Sequence, residues 1–219
     1  MSDAQIVKDI IEHLSWDTRV DALNIQVSAN DGRVQLSGTV PVFTHRHIAE
    51  QACYDVKGVK SVKNNLRIIH PSSVKIPPDN EIKEHLENLF RWNQEMSQEY
   101  VRIAVTGGTV MLEGTVDAYW KKLRAEQMAA SVKGVLGVKD KLSVVPTDSL
   151  YDRSIAQGIT NTLVRNAQID VNTVDIKVKD GIVTLSGSVL NQNARNAAQE
   201  VAANTMGVIE LNNQLELRA

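Results

Sequence analysis

Apolar residues recur along this chain with two alternating periods. Ile6, Ile10 and Leu14 fall four apart, and so do Ile82, Leu86, Phe90 and Ile155, Ile159, Leu163. That spacing predicts one buried face of a helix of roughly three to four turns, placed at the start of each third of the chain. A period of two follows: Ile25 and Val27, then Val101, Ile103 and Val105, then Val174, Ile176 and Val178. These are half-buried strands. An Asp-Gly or Gly-Gly pair turns each into a second strand carrying Val34, Leu36, Val40 or their equivalents inward. A second helix is expected over about 45–56, with a stripe of small residues: Ala49, Ala52, Cys53 and Val56. The stripe returns as Ala125, Met128, Ala129, Val132 and as Ala198, Val201, Ala202, Thr205. A last strand is expected over 62–69, 138–145 and 209–217.

The pattern is a repeat. DGRVQLSGTV at 31–40 returns as GGTVMLEGTV at 107–116 and as DGIVTLSGSV at 180–189. Gly108 lies 76 residues after Gly32, and Gly181 lies 73 after Gly108. With those offsets the copies align without a gap from Asp3, Asp79 and Asp152 to Leu66, Leu142 and Leu215. Three glycine registers hold their spacing: Gly32/Gly38/Gly58, Gly108/Gly114/Gly134 and Gly181/Gly187/Gly207. We read them as structural, serving turns and, for the third, the end of the second helix. Each copy opens on an Asp or Ser of helix-capping type.

The expected fold is α+β: three tandem αββαβ modules, each with two helices on a small mixed three-stranded sheet. The expected domains are 1–69, 79–145 and 152–217, with linkers 70–78 and 146–151 that hold four of the chain's five prolines. A module of this size buries a modest core, so contacts between modules or chains are expected to add stability.

The αββαβ order, the G-x-V-x-L-x-G-x-V strand (Gly32 to Val40, Gly108 to Val116, Gly181 to Val189) and the Gly-Val after the second helix resemble the BON domain. That family is named for a bacterial osmotically inducible protein and for nodulation proteins. The resemblance implies binding instead of catalysis, at the bacterial envelope, at phospholipid surfaces and under osmotic or other stress. It also leaves open a homo-oligomeric assembly or a holdase-like accessory protein.

Composition narrows the reading. The formal net charge of −2 gives no field to draw in nucleic acid. One cysteine excludes an internal disulfide. No window is apolar enough to span a membrane, and the first residues carry charges where a signal peptide needs an apolar core. The sequence as written therefore reads as cytoplasmic, or as periplasmic if a signal peptide was removed.

Few residues suggest chemistry. Cys53 aligns with Ala129 and Ala202, which reads as a small core residue. His45 and His47 are two apart on a helix and make a poor metal pair. The Gly-Val-Leu-Gly run at 134–137 joins helix to strand, unlike an RNA-clamping GxxG. No catalytic set repeats, and no cofactor, metal, nucleic acid or small-molecule substrate is indicated. The one distinctive surface is in the second copy. Tyr119, Trp120, Lys121, Lys122 and Arg124 lie at the start of its second helix, and Lys133, Lys139 and Lys141 near the far end. Rings beside cations suit an anionic lipid headgroup interface or a protein partner. Trp16 and Trp92, at equivalent positions ending the first helices, read as core edges ahead of contacts between modules.

Overall fold

The four-residue apolar steps and the period-two runs resolve into one chain order, used three times. The computed structural model describes residues 2–70, 75–96, 99–146 and 150–218. The first module runs α1 (Asp3–Trp16), β1 (Ile25–Asn30), β2 (Arg33–Val40), α2 (Phe43–Tyr54), β3 (Ser61–Asn64) and β4 (Arg67–Ile68). The second runs α3 (Asp79–Trp92), β5 (Tyr100–Thr106), β6 (Thr109–Val116), α4 (Tyr119–Ser131) and β7 (Gly137–Val144). The third runs α5 (Asp152–Val164), a 3-10 turn (Val171–Thr173), β8 (Val174–Lys179), β9 (Ile182–Val189), α6 (Gln192–Ala203), β10 (Glu210–Asn213) and β11 (Glu216–Leu217). Residues 71–74 and 147–149 of the two expected linkers lie outside the described residues.

The fold is α+β, three modules of two helices on a small mixed sheet. In each sheet the hairpin's second strand is central, antiparallel to the first and parallel to the last. The helix between the central and last strands is the crossover that parallel pairing requires. In the first and third modules the last strand is two short pieces. Asn64 Oδ1 accepts from the Leu66 N–H and Asn213 Oδ1 from the Leu215 N–H. Asp140 Oδ1 does the same for the Leu142 N–H, yet β7 stays continuous.

Helix and sheet meet over an apolar core. Ile6, Ile10, Leu14 and their equivalents are buried, as are Val34, Leu36, Val40 and the small stripe Ala49, Ala52, Cys53. Two details differ from the sequence reading. The second helices end at Tyr54, Ser131 and Ala203, so Gly58, Gly134 and Gly207 do not terminate them. These glycines sit one turn later, just before residues whose N–H closes a turn onto Val56, Val132 and Thr205. The opening aspartates are not caps either. The cap positions are Ser2, Pro78 and Tyr151, and Asp3, Asp79 and Asp152 are the first helical residues.

Those aspartates have a different task. Asp3 accepts from the N–H groups of Asp31 and Gly32, at 2.8 and 2.9 Å. Asp79 does so from Gly107 and Gly108 at 2.7 and 2.9 Å, and Asp152 from Asp180 and Gly181, both at 2.9 Å. Each carboxylate thus clamps the start of the first helix to the tip of the hairpin. The tip can present two neighbouring N–H groups because both of its residues have positive φ, as in Asp31 (50°) and Gly32 (73°). The six-residue glycine spacing has a second cause. A Cβ on Gly38 would stand 2.0 Å from the Asn24 carbonyl, on Gly114 2.0 Å from that of Tyr100, and on Gly187 2.2 Å from that of Thr173.

Candidate functional site

The second helices carry the small stripes inward and turn their opposite faces toward one another. α2 and α4 touch, and Asn196 Nδ2 of α6 donates to Gln51 Oε1 of α2 at 3.2 Å. Between the three helices lies a polar cavity of about 580 Å³. Its wall includes His47, Leu123 and Asn196, which are equivalent in the repeat, and Gln51, Gln127 and Glu200, which are also equivalent. One helix face, used three times, therefore makes the centre of the molecule.

Tyr119 joins the second module to the third. Its ring packs against both of their cores, and its phenol is reached by the backbone of Leu211. Burial, then the charges of Glu210 and Glu126, hold its pKa above the usual value. Contacts between modules, expected from their small cores, are made of such groups.

The structure divides the aromatic and basic set of the second module. Trp120 lines the central cavity with the Lys121 ammonium 5.8 Å from its ring centre. Lys121 has only 15% of its side chain exposed and is paired with Glu99 and with Asp117, the latter at 2.8 Å. Burial pulls its pKa down, but the hydrogen bonds to Asp117 and Glu99 outweigh it, so the net shift is upward. Lys122 donates to the Leu142 carbonyl at 2.8 Å, holding its helix to β7. Lys141 pairs with Glu113 at 3.2 Å. Arg124 is exposed at the cavity rim, and Lys133 and Lys139 are exposed at the far end. The repeat held a signal of this division. The equivalents of Lys121 are His45 and the buried Ala194, an inward position, and burial lowers the His45 pKa.

The tryptophans at the ends of the first helices are not core edges. Trp16 is 79% exposed and Trp92 is 84% exposed, because α1 and α3 end there and the chain turns inward beyond them at Val20 and Met96. Arg165 at the same place in the third module was the clue, since a core position would not take it.

The second module also departs from its neighbours beside α4. In the first, Asn64 Nδ2 donates to Glu50 Oε2 at 3.2 Å, and in the third Asn213 Nδ2 donates to Gln199 Oε1 at 3.0 Å. The equivalents in the second are Asp140 and Glu126, two carboxylates. Burial and then Asp140 raise the Glu126 pKa, with His47 of the first module opposing. Cys53 is buried, which pushes its thiol up to about 12 and keeps it protonated. Among the described residues no cluster of three metal-ligating side chains forms, and no helix is long and apolar enough to cross a membrane.

Comparison with known proteins places the repeat. A protein of Anaplasma centrale described as an uncharacterized protein in the gshII 5' region is 28% identical over 139 residues, which is 59% of this chain and 92% of that one. Among solved structures, CdsD, a structural protein of the type III secretion system of Chlamydia trachomatis, aligns over 98% of this chain and 92% of its own at 14% identity and a TM-score of 0.27. The periplasmic domain of PrgH from S. typhimurium aligns over 90% of this chain and 97% of its own, at 15% identity and a TM-score of 0.23. Scores of this size relate neither overall arrangement nor function. The BON domain profile matches residues 2–69, 78–146 and 151–219. The chain belongs to the BON domain family and contains three tandem copies of that domain.

Proposed function

We propose that this chain is a non-catalytic binding scaffold that docks on phospholipid surfaces through the tips of its first helices. The carrying observation is the pair of exposed indoles, Trp16 and Trp92, at equivalent positions of two domains. An indole suits the boundary between acyl chain and headgroup, with an apolar body and one N–H for the polar side. Membership of the BON family supports a binding role without catalysis. Of the basic residues read from the sequence, Arg124, Lys133 and Lys139 are exposed and are proposed as secondary headgroup contacts. With a net charge of −2, apolar insertion rather than charge carries the binding, so it persists at high salt. Vesicle flotation tests this. Wild type floats with lipid, and Trp16→Ala/Trp92→Ala stays at the bottom. Wild type that fails to float, or a double variant that floats equally well, sinks the reading.

Self-association is the second reading, favoured by β7. It is an outer strand of eight unbroken residues, where the matching edges of the other sheets are interrupted. Unbroken edges template pairing with another chain. Light scattering that gives a monomer mass at every concentration would remove this reading.

A further inference from the structure

Helices that meet only to pack do so through apolar residues. The second helices of this chain do not. Among the described residues, the aliphatic members of the wall between them are Leu123 and Ala203. The charges of the wall balance, Arg124 and Arg195 against Glu50 and Glu200. Its commonest group is the side-chain amide, supplied by Gln51, Gln127, Asn196, Gln199 and Asn204. All of these but Gln51 are exposed, so their polar atoms are open to a ligand.

Two rings stand in this polar wall. Tyr54 has a structural task, its hydroxyl accepting from the Val62 N–H at 3.2 Å. Trp120 differs. Its repeat equivalents are Thr44 and Asn193, so the fold does not call for a ring there. Lys121, whose ammonium stands 5.8 Å from the ring centre, is held by Glu99 and Asp117 and is not part of the wall. The amides are partly fixed in place. Gln51 Oε1 accepts from Asn196 Nδ2 at 3.2 Å, and Gln199 Oε1 from Asn213 Nδ2 at 3.0 Å. Those bonds use the two carbonyl oxygens and leave both glutamine NH2 groups as donors. Gln192 Nε2 donates to Asn196 Oδ1 at 2.9 Å, which sets the plane of that amide.

We propose that the central cavity between the three second helices binds a neutral pyranose sugar. The C–H face of the sugar stacks on the Trp120 indole, a flat apolar surface. Its hydroxyls, each both donor and acceptor, replace water as partners of the Gln and Asn side chains. Balanced charge in the wall favours a neutral ligand over an ion, and a cavity of about 580 Å³ is within the size range of small-molecule sites. The site does not include Trp16 or Trp92, so it stands or falls independently of lipid docking.

The test uses the full chain and two probes, methyl β-D-glucopyranoside and sorbitol, followed by amide NMR shifts of residues 120–127 and 196–204. The glucoside carries its hydroxyls around the rim of a ring with C–H bonds on both faces, whereas sorbitol has hydroxyls and no ring to stack. The expected result is saturable binding of the glucoside, with sorbitol about tenfold weaker, the value of one ring contact. Trp120→Ala should bring the glucoside down to the level of sorbitol. Gln127→Leu, at an exposed position, should weaken the glucoside about fivefold, the value of one hydrogen bond. No saturable shift with the glucoside, equal affinities in the wild type, or glucoside binding unchanged in either variant would overturn the proposal.

Discussion

Replacing Asp79 by Asn tests the clamp between first helix and hairpin. The carboxylate accepts two N–H groups, from Gly107 at 2.7 Å and Gly108 at 2.9 Å. An amide in its place has one accepting atom, and its NH2 then faces the second N–H, donor against donor. A hydrogen bond to a charged group contributes about 1.5–3 kcal/mol. The Gly107 side is open to solvent, which weakens its share, so the expected loss is about 2 kcal/mol. If the three modules unfold together, that lowers the melting temperature by about 4–8 °C. If the second module unfolds alone, the fall is about twice as large, and calorimetry separates the two cases by the number of transitions. Chemical denaturation of Asp79→Asn beside Glu84→Gln, an exposed carboxylate on the same helix, provides the control. A loss within about 0.5 kcal/mol of that control, the ordinary range of surface substitutions, would refute the clamp.

Two further outcomes follow from charges in the repeat. Asp140→Asn recreates the Asn64 and Asn213 arrangement, letting an amide donate to Glu126 while its oxygen keeps the Leu142 N–H. It should stabilise the chain by about 1 kcal/mol near neutral pH. The gain should shrink in acid, because Glu126, whose pKa is raised, then carries a proton it can donate to Asp140; a gain unchanged with pH in thermal scans would contradict this. On the acid side, the hydrogen bonds from Gly32 and Asp31 hold the Asp3 carboxyl below its usual value. The Arg19 side chain and backbone hold Asp17 at about 2. Carboxyls lowered in the folded state contribute stability that is complete above the unfolded value near 3.8 and is lost as pH falls through the folded one. Denaturation midpoints should therefore drop between pH 4 and 2, less steeply in Asp17→Asn; identical slopes would contradict the Arg19 pairing.

The module was legible in the sequence because its information is local. Glycine registers at fixed spacing could only mean fixed turns, and helix steps of four named the core residues Ile6 through Leu163 correctly. Local pattern does not show where a long side chain goes. Lys121 looked like a surface cation, yet its partner Glu99 comes from a loop 22 residues earlier and draws it inward. Trp16 looked like core because it is apolar and closes an apolar helix, yet it stands two residues after Leu14, off the four-residue stripe. The last turn of a helix can overhang the sheet, and Arg165 at the equivalent position was the sign of it. The seams were invisible for a related reason. Period and spacing describe faces within one module, whereas Tyr119 matters through what the neighbouring module presents.

The claim at the centre of this account is that Trp16 and Trp92 meet lipid. Trp120→Phe leaves them as the chain's only tryptophans, so all indole emission comes from the two helix tips. The measurement is the emission maximum of that variant on adding phospholipid vesicles, at low and high salt. A blue shift that saturates with lipid and survives salt is predicted. An emission maximum that stays at the solvent-exposed position at every lipid concentration would contradict the account.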